Sequence, residues 1–274
     1  MISNVAGDRL YNQIHERLND AYHKIHTSGN WMDGEYCRSA EKKLKQITGR
    51  KHARLMTSAT SSLMVALLSW NMRNKDVACV NYSYVASANQ AALLNTIDLF
   101  DVDKKGLMQL DQIFEHDLVI PVSLYGNTVD YDNLKVGKHT KVIVDCAQSL
   151  GAKYKNKPDG SFGDAAVFSF ARNKPIATAG THGALVWDDD GMTDTIKAVS
   201  NNGKLARDTK IQAYGINAVP MELQAAQIDI GMDHMGEWQT KRKAIHEYYV
   251  NQFANLPFEI IQANHNCESN YHKF

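Results

Sequence analysis

The chain has 274 residues, 44% of them apolar, which suffices for one large α/β core or a core with an appendage. Thirty basic and thirty acidic side chains cancel, so no charge excess points to nucleic acid or to an anionic membrane surface. The four cysteines, Cys37, Cys79, Cys146 and Cys267, form no CxxC pair and read as reduced thiols, with neither a zinc site nor a disulfide framework.

The opening residues Met1-Ile2-Ser3-Asn4 lack the apolar core of a secretion signal, and no run reaches the length of a membrane span. A soluble, cytoplasmic protein is the expectation. Leu10, Ile14, Leu18 and Ile25 recur at helical spacing and predict an amphipathic helix over residues 8–27, punctuated by Ser28-Gly29-Asn30. A second helix is predicted over 35–48, before Gly49. Short apolar strands then alternate with helical stretches. The strands are predicted at 54–57, Val77–Tyr82, Asp98–Val102, Leu118–Val122, Lys141–Asp145, Ala165–Phe170 and Gly183–Trp187, the helices at Ser62–Asn71, Ser87–Asn95 and Leu110–Glu115. This alternation predicts an α/β fold with a mostly parallel, seven-stranded sheet flanked by helices. Pro158-Asp159-Gly160 marks a tight turn. Residues 219–253 read as helical, with Leu223, Ala226, Ile230 and Met235 at helix-like spacing. The expected layout is an N-terminal helical segment (1–30), a large α/β domain (31–215), and a linking helix leading into a further lobe (216–274).

Several segments carry candidate chemistry. Thr57-Ser58-Ala59-Thr60-Ser61-Ser62 joins a strand to a helix; small hydroxyl residues there form a phosphate cup or an ordinary N-cap. Tyr84, in Tyr82–Asn89 after a strand, can lie against a planar ring or simply pack. Asp145 ends the strand Val142-Ile143-Val144-Asp145, where a carboxylate serves either a cofactor or a helix cap. Gln148, three residues on, either reaches a ligand or completes a capping box. Ser169 lies in the next strand and offers a hydroxyl to a phosphate. Lys174 follows that strand in a turn before the glycine-containing stretch Ala177–Gly183, 29 residues after Asp145. A strand-end acid followed by a lysine in a turn is what pyridoxal 5′-phosphate (PLP) requires. The amine condenses with the aldehyde, and the carboxylate keeps the pyridine nitrogen protonated.

In order along the chain, Ser28-Gly29-Asn30-Trp31-Met32-Asp33-Gly34, Ser58-Ala59-Thr60, Tyr84–Asn89, Pro121-Val122-Ser123-Leu124-Tyr125-Gly126, Asp145–Ala152, and Gly160-Ser161-Phe162-Gly163-Asp164 through Phe168-Ser169-Phe170 to Lys174 resemble the DegT/DnrJ/EryC1/StrS sugar aminotransferases. That resemblance implies a fold-type I PLP enzyme moving an amino group from glutamate or glutamine to a nucleotide-linked keto-sugar. It implies that Lys174 bonds to the cofactor and shuttles the proton. By the same resemblance Asp145 would pair with the pyridine nitrogen, Gln148 would lie near the phenolic oxygen, and Tyr84 would stack on the ring. Ser58, Ala59, Thr60 and Ser169 would hold the phosphate. Asn217 implies a homodimer, since the matching asparagine reaches a neighbouring subunit's phosphate. Two positions depart from the pattern: Ala59 replaces a glycine, and Asn217-Ala218-Val219 replaces Asn-x-Arg. Ser269–Phe274 resembles the entry to a C-terminal lobe that is largely absent, so the expectation includes a fragment, a minimal variant or a split enzyme whose second chain supplies the lobe. The competing readings are a non-catalytic or partner-dependent subunit and a sugar dehydratase, which would carry a histidine where Lys174 stands. A nicotinamide enzyme is disfavoured because no G-x-G-x-x-G turn follows the early strands.

Overall fold

In the computed structural model, which describes residues 7–111, 113–206 and 209–274, short apolar runs build the sheet. The strands of the chain are β1 (His52–Met56), β2 (Asp76–Val80), β3 (Thr96–Phe100), β4 (Leu118–Ile120), β5 (Lys141–Asp145), β6 (Lys153–Tyr154), β7 (Lys157–Pro158), β8 (Ala165–Ser169), β9 (Gly183–Trp187) and β10 (Cys267–Glu268). Its helices are α1 (Gly7–Ser28), α2 (Glu35–Thr48), α3 (Ala59–Ser69), α4 (Ala86–Ala92), α5 (Thr193–Val199), α6 (Glu222–Asp233) and α7 (Met235–Phe253).

Seven strands form one sheet in the order β1-β9-β8-β5-β4-β2-β3. Within it only β9 runs against its neighbours; β8, β5, β4, β2 and β3 are mutually parallel. Strands β8 and β9 are buried at all five positions each, the pattern of strands covered on both faces. Helices α2 and α6 cover one face, where Cys37, Ala40 and Leu44 meet Val144, Phe168 and Ile228. Helices α3 and α5 cover the other, where Leu63, Leu67 and Ile196 meet Ile143 and Leu185. A small second sheet, β10-β6-β7, turns at Lys155-Asn156, whereas the predicted turn Pro158-Asp159-Gly160 runs from the end of β7 into a 3-10 turn, Asp159–Ser161, with Asp159 and Gly160 buried. In α1, Ile14, Leu18, Ala21 and Ile25 pack on Ala226 and Ile230 of α6, so the first helical segment and the linking helix share one apolar cluster.

All seven predicted strands form, most with ends shifted by one or two residues. Two helical predictions need correction. Leu110–Glu115 is not a helix at its described residues but a loop around the fully buried Ile113; so short a segment has too few turns to offset helix nucleation. The stretch 219–253 is two helices, broken at His234, whose N–H bonds back to Gly231 O at 3.1 Å. Among the described residues, no helix is long and apolar enough to cross a membrane.

Candidate active site

The parallel strands end at one edge, and the helix starts and loops beyond them enclose a cavity of about 470 Å³. Ser58, Ala59, Thr60, Tyr84, Asp145, Gln148, Ser169 and Lys174 all line it. The ninth candidate, Asn217, does not: it is exposed and bridges to Asn201 through its backbone.

The cup forms where β1 hands over to α3. Ser58 Oγ accepts the Ser61 N–H at 3.0 Å, and Ser61 Oγ accepts the Ser58 N–H at 2.9 Å. This reciprocal cap leaves the N–H groups of Ala59 and Thr60, in the first helical turn, without intrahelical acceptors. Ala59 is a helical residue and not one of the residues with positive φ, so the methyl that replaces a glycine introduces no strain. The glycine that matters is Gly183: a Cβ there would lie 2.2 Å from Ala59 N and 2.3 Å from the Ser58 carbonyl carbon. Only a residue without a side chain lets β9 begin against the cup.

Asp145 stands at the end of β5 with both oxygens engaged. Oδ2 accepts the Ser87 hydroxyl at 2.6 Å and Oδ1 accepts the Ala147 N–H at 3.0 Å. Gln148 Oε1 accepts the Tyr125 N–H at 3.0 Å, so its amide NH₂ is the end left to donate. No helix follows Gln148, which removes the capping-box reading. Tyr125 holds a left-handed backbone, φ 60°, unusual for a bulky residue. Tyr84 precedes α4 and is 71% exposed. Ser169, the last residue of β8, is buried.

Lys174 sits in a turn closed by its N–H to Ala171 O at 2.9 Å. Burial pushes its pKa below the ordinary lysine value, with Lys273 adding to the effect and Asp145 opposing it. It makes no salt bridge among the described residues. A partly desolvated, unpaired amine is a competent nucleophile toward an aldehyde. His182, which shares the cavity wall with Lys174 and Arg172, is fully buried. Its Nε2 accepts the Met221 N–H at 3.2 Å, which puts its proton on Nδ1, facing Thr181 O. Burial holds its pKa below the usual histidine range.

Ser87, Gly183 and His182 escaped the site reading. The hydroxyl of Ser87 has no sequence signal beyond its place in the Tyr82–Asn89 segment, because its partner is 58 residues away. A second opening of about 920 Å³, between Tyr125, α7 and the last residues, contains none of the predicted site residues.

The donor set fits PLP. Free helix N–H groups suit a phosphate, the strand-end carboxylate suits a pyridinium, and the unpaired amine suits an aldehyde. The cavity volume lies in the range of small-molecule sites.

The 28%-identical UDP-2-acetamido-2-deoxy-3-oxo-D-glucuronate aminotransferase of Pseudomonas aeruginosa aligns with 78% of this chain. The GDP-perosamine synthase of Caulobacter vibrioides is also 28% identical, over 81% of this chain. The chain spans only 62% and 63% of the lengths of these two relatives. The fold matches DesV of S. venezuelae with a TM-score of 0.90 at 22% identity, over 97% of this chain and 74% of that one. A Brucella abortus aminotransferase matches with a TM-score of 0.91 at 23% identity, over 99% and 78%. The sequence model of one family matches residues 12–274, and the chain belongs to that family, the DegT/DnrJ/EryC1/StrS aminotransferases.

Proposed function

We propose that this chain is a PLP-dependent aminotransferase that moves an amino group from glutamate or glutamine to a nucleotide-linked keto-sugar. The observation that carries this reading is the meeting of Asp145, Lys174 and the Ser58–Thr60 cup on one cavity at the sheet edge. The name of the Pseudomonas aeruginosa relative supports the acceptor class, since it specifies a UDP-linked 3-oxo sugar acid.

Bound PLP supplies an aldehyde that exchanges for an amine and a ring that withdraws electrons. The rest falls to this chain's residues. The N–H groups of Ala59 and Thr60, with the Ser58 and Ser169 hydroxyls, would hold the phosphate. Asp145 would keep a proton on the ring nitrogen, Gln148 NH₂ would donate to the phenolic oxygen, and Tyr84 would cover one ring face. The Lys174 amine would hold the cofactor at its aldehyde carbon and would carry a proton between the substrate carbon and the cofactor carbon. The proposal includes a homodimer, in which the exposed Asn217 would serve the phosphate of the adjacent subunit.

The test is an absorbance spectrum of the purified chain with PLP, before and after L-glutamate or L-glutamine. The expected result is a visible band that the donor converts to the pyridoxamine form, and that Lys174→Ala abolishes. A band of normal position and intensity in Lys174→Ala would sink the assignment.

A further inference from the structure

We propose that Ser87 is a positioning residue: its hydroxyl fixes the orientation of the Asp145 carboxylate and locks it to the turn that presents Tyr84. This rests on the reading of the cavity as a PLP site. A carboxylate at a strand end turns freely about its side-chain torsions unless donors from more than one direction hold it. Here each oxygen takes one donor from a different element, Ser87 Oγ from α4 at 2.6 Å and Ala147 N–H from its own turn at 3.0 Å.

The hydroxyl of Ser87 carries a single proton, and two acceptors compete for it. Tyr84 O lies at 3.3 Å and Asp145 Oδ2 at 2.6 Å; the shorter, charge-assisted bond wins. The backbone N–H of Ser87 bonds in turn to Tyr84 O at 3.2 Å. One residue thus ties the ring-face tyrosine to the carboxylate that would meet the ring nitrogen. Ser87 is 2% exposed, so water does not compete for its proton.

An ordinary helix-start serine would behave differently. Ser87 lies inside α4, whose N-cap is Val85 with no side-chain cap, and its hydroxyl reaches out of the helix to another strand. The hydroxyl also stabilises the ionised carboxylate. Without it the carboxylate could turn away from the ring nitrogen, and the ion pair that would keep a proton there would weaken. The ring of bound PLP would then withdraw fewer electrons, a change that the Lys174-dependent visible band reports.

The test compares the parent chain with Ser87→Ala, Ser87→Cys and Ser87→Thr, each loaded with PLP. The midpoint of the visible band against pH and the equilibrium affinity for PLP are both measured, without substrate. Ser87→Ala should raise the midpoint by about half a pH unit or more and weaken PLP binding roughly threefold to tenfold. Ser87→Thr, which keeps the hydroxyl, should restore both to roughly parental values, and the weaker thiol donor of Ser87→Cys should fall between. Parental midpoint and affinity in Ser87→Ala would overturn the role of Ser87 and leave the PLP reading standing. Weakened binding with an unmoved midpoint would likewise overturn it, since loose packing alone gives that result. A parent chain with no Lys174-dependent visible band would overturn the cavity reading and this inference together.

Discussion

At Lys174 three influences act on one proton. Burial disfavours the ammonium, the nearby Lys273 disfavours it further, and Asp145 favours it. The neutral amine is the form that attacks, so capture of PLP by the cofactor-free chain should accelerate with pH around a midpoint below the ordinary lysine value of 10.5. The two neighbours should move that midpoint in opposite directions. Asp145→Asn removes the charge that favours the ammonium and should lower it. Lys273→Ala removes a charge that disfavours the ammonium and should raise it. Stopped-flow absorbance over a pH series reads both shifts; movement of the two variants in the same direction would refute this account of the amine. The same balance explains why Lys174 is legible in sequence only through its setting. Lysine alone says nothing, whereas a lysine after a buried strand that follows a strand-end acid sits where desolvation and one carboxylate meet.

Between elements, the start of α2 depends on a long-range cap. Glu222, the first residue of α6, is 2% exposed and turns its carboxylate onto the start of α2. Oε1 accepts the Gly34 N–H at 2.8 Å and the Cys37 N–H at 2.9 Å, and Oε2 accepts the Tyr36 N–H at 2.9 Å. One anion so satisfies the helix-start donors that Gly34, with no side chain of its own, cannot cap. Glu222→Ala would leave three N–H groups without partners and should cost about 3 kcal/mol of stability, while Glu222→Gln, which keeps acceptor oxygen but not charge, should cost less. Urea unfolding of the three chains orders them; equal stability of all three would remove the cap from the account. No such contact can be read from sequence, because its partners are more than 180 residues apart. What could be read was local. Strands such as Val142–Asp145 and Gly183–Trp187 announce themselves as unbroken apolar runs, and α1 by its spaced leucines and isoleucines. Leu110–Glu115 misled because apolar spacing over one turn and a half does not distinguish a helix from a loop that buries one isoleucine. In the site, the eight cavity residues were legible because each ends a strand or begins the segment after one. Ser87 was not, since its role exists only once α4 is laid beside β5.

Across the whole molecule, stability should depend on pH through acids held in the wrong charge state by the fold. Glu41 of α2 accepts the Leu55 N–H of the edge strand β1 at 2.9 Å. Burial pushes its carboxyl up to about 7 from an ordinary 4.5, against the lowering pull of that N–H and of Arg54. Asp159 is raised in the same sense, by burial opposed by the hydroxyls of Ser149, Tyr131 and Ser123 and the Cys146 thiol. The sign follows from proton counting. Between pH 4.5 and 7 the native chain holds the Glu41 proton that the unfolded chain has released, so stability from this group falls as pH rises through that window and stays lost above it. Asp188 and Asp233 act oppositely, since their lowered pKa values withdraw stability only in more acidic solution. Glu41→Gln keeps an oxygen for the Leu55 N–H and cannot ionise. Relative to the parent it should therefore be neutral or slightly unstable near pH 5 and gain ~2 kcal/mol by pH 8. Urea midpoints at the two pH values measure that difference directly. A variant whose stability parallels the parent across the window would mean that the Glu41 carboxyl titrates as it does in water, and that the edge of β1 is held by something other than a buried, proton-bearing acid.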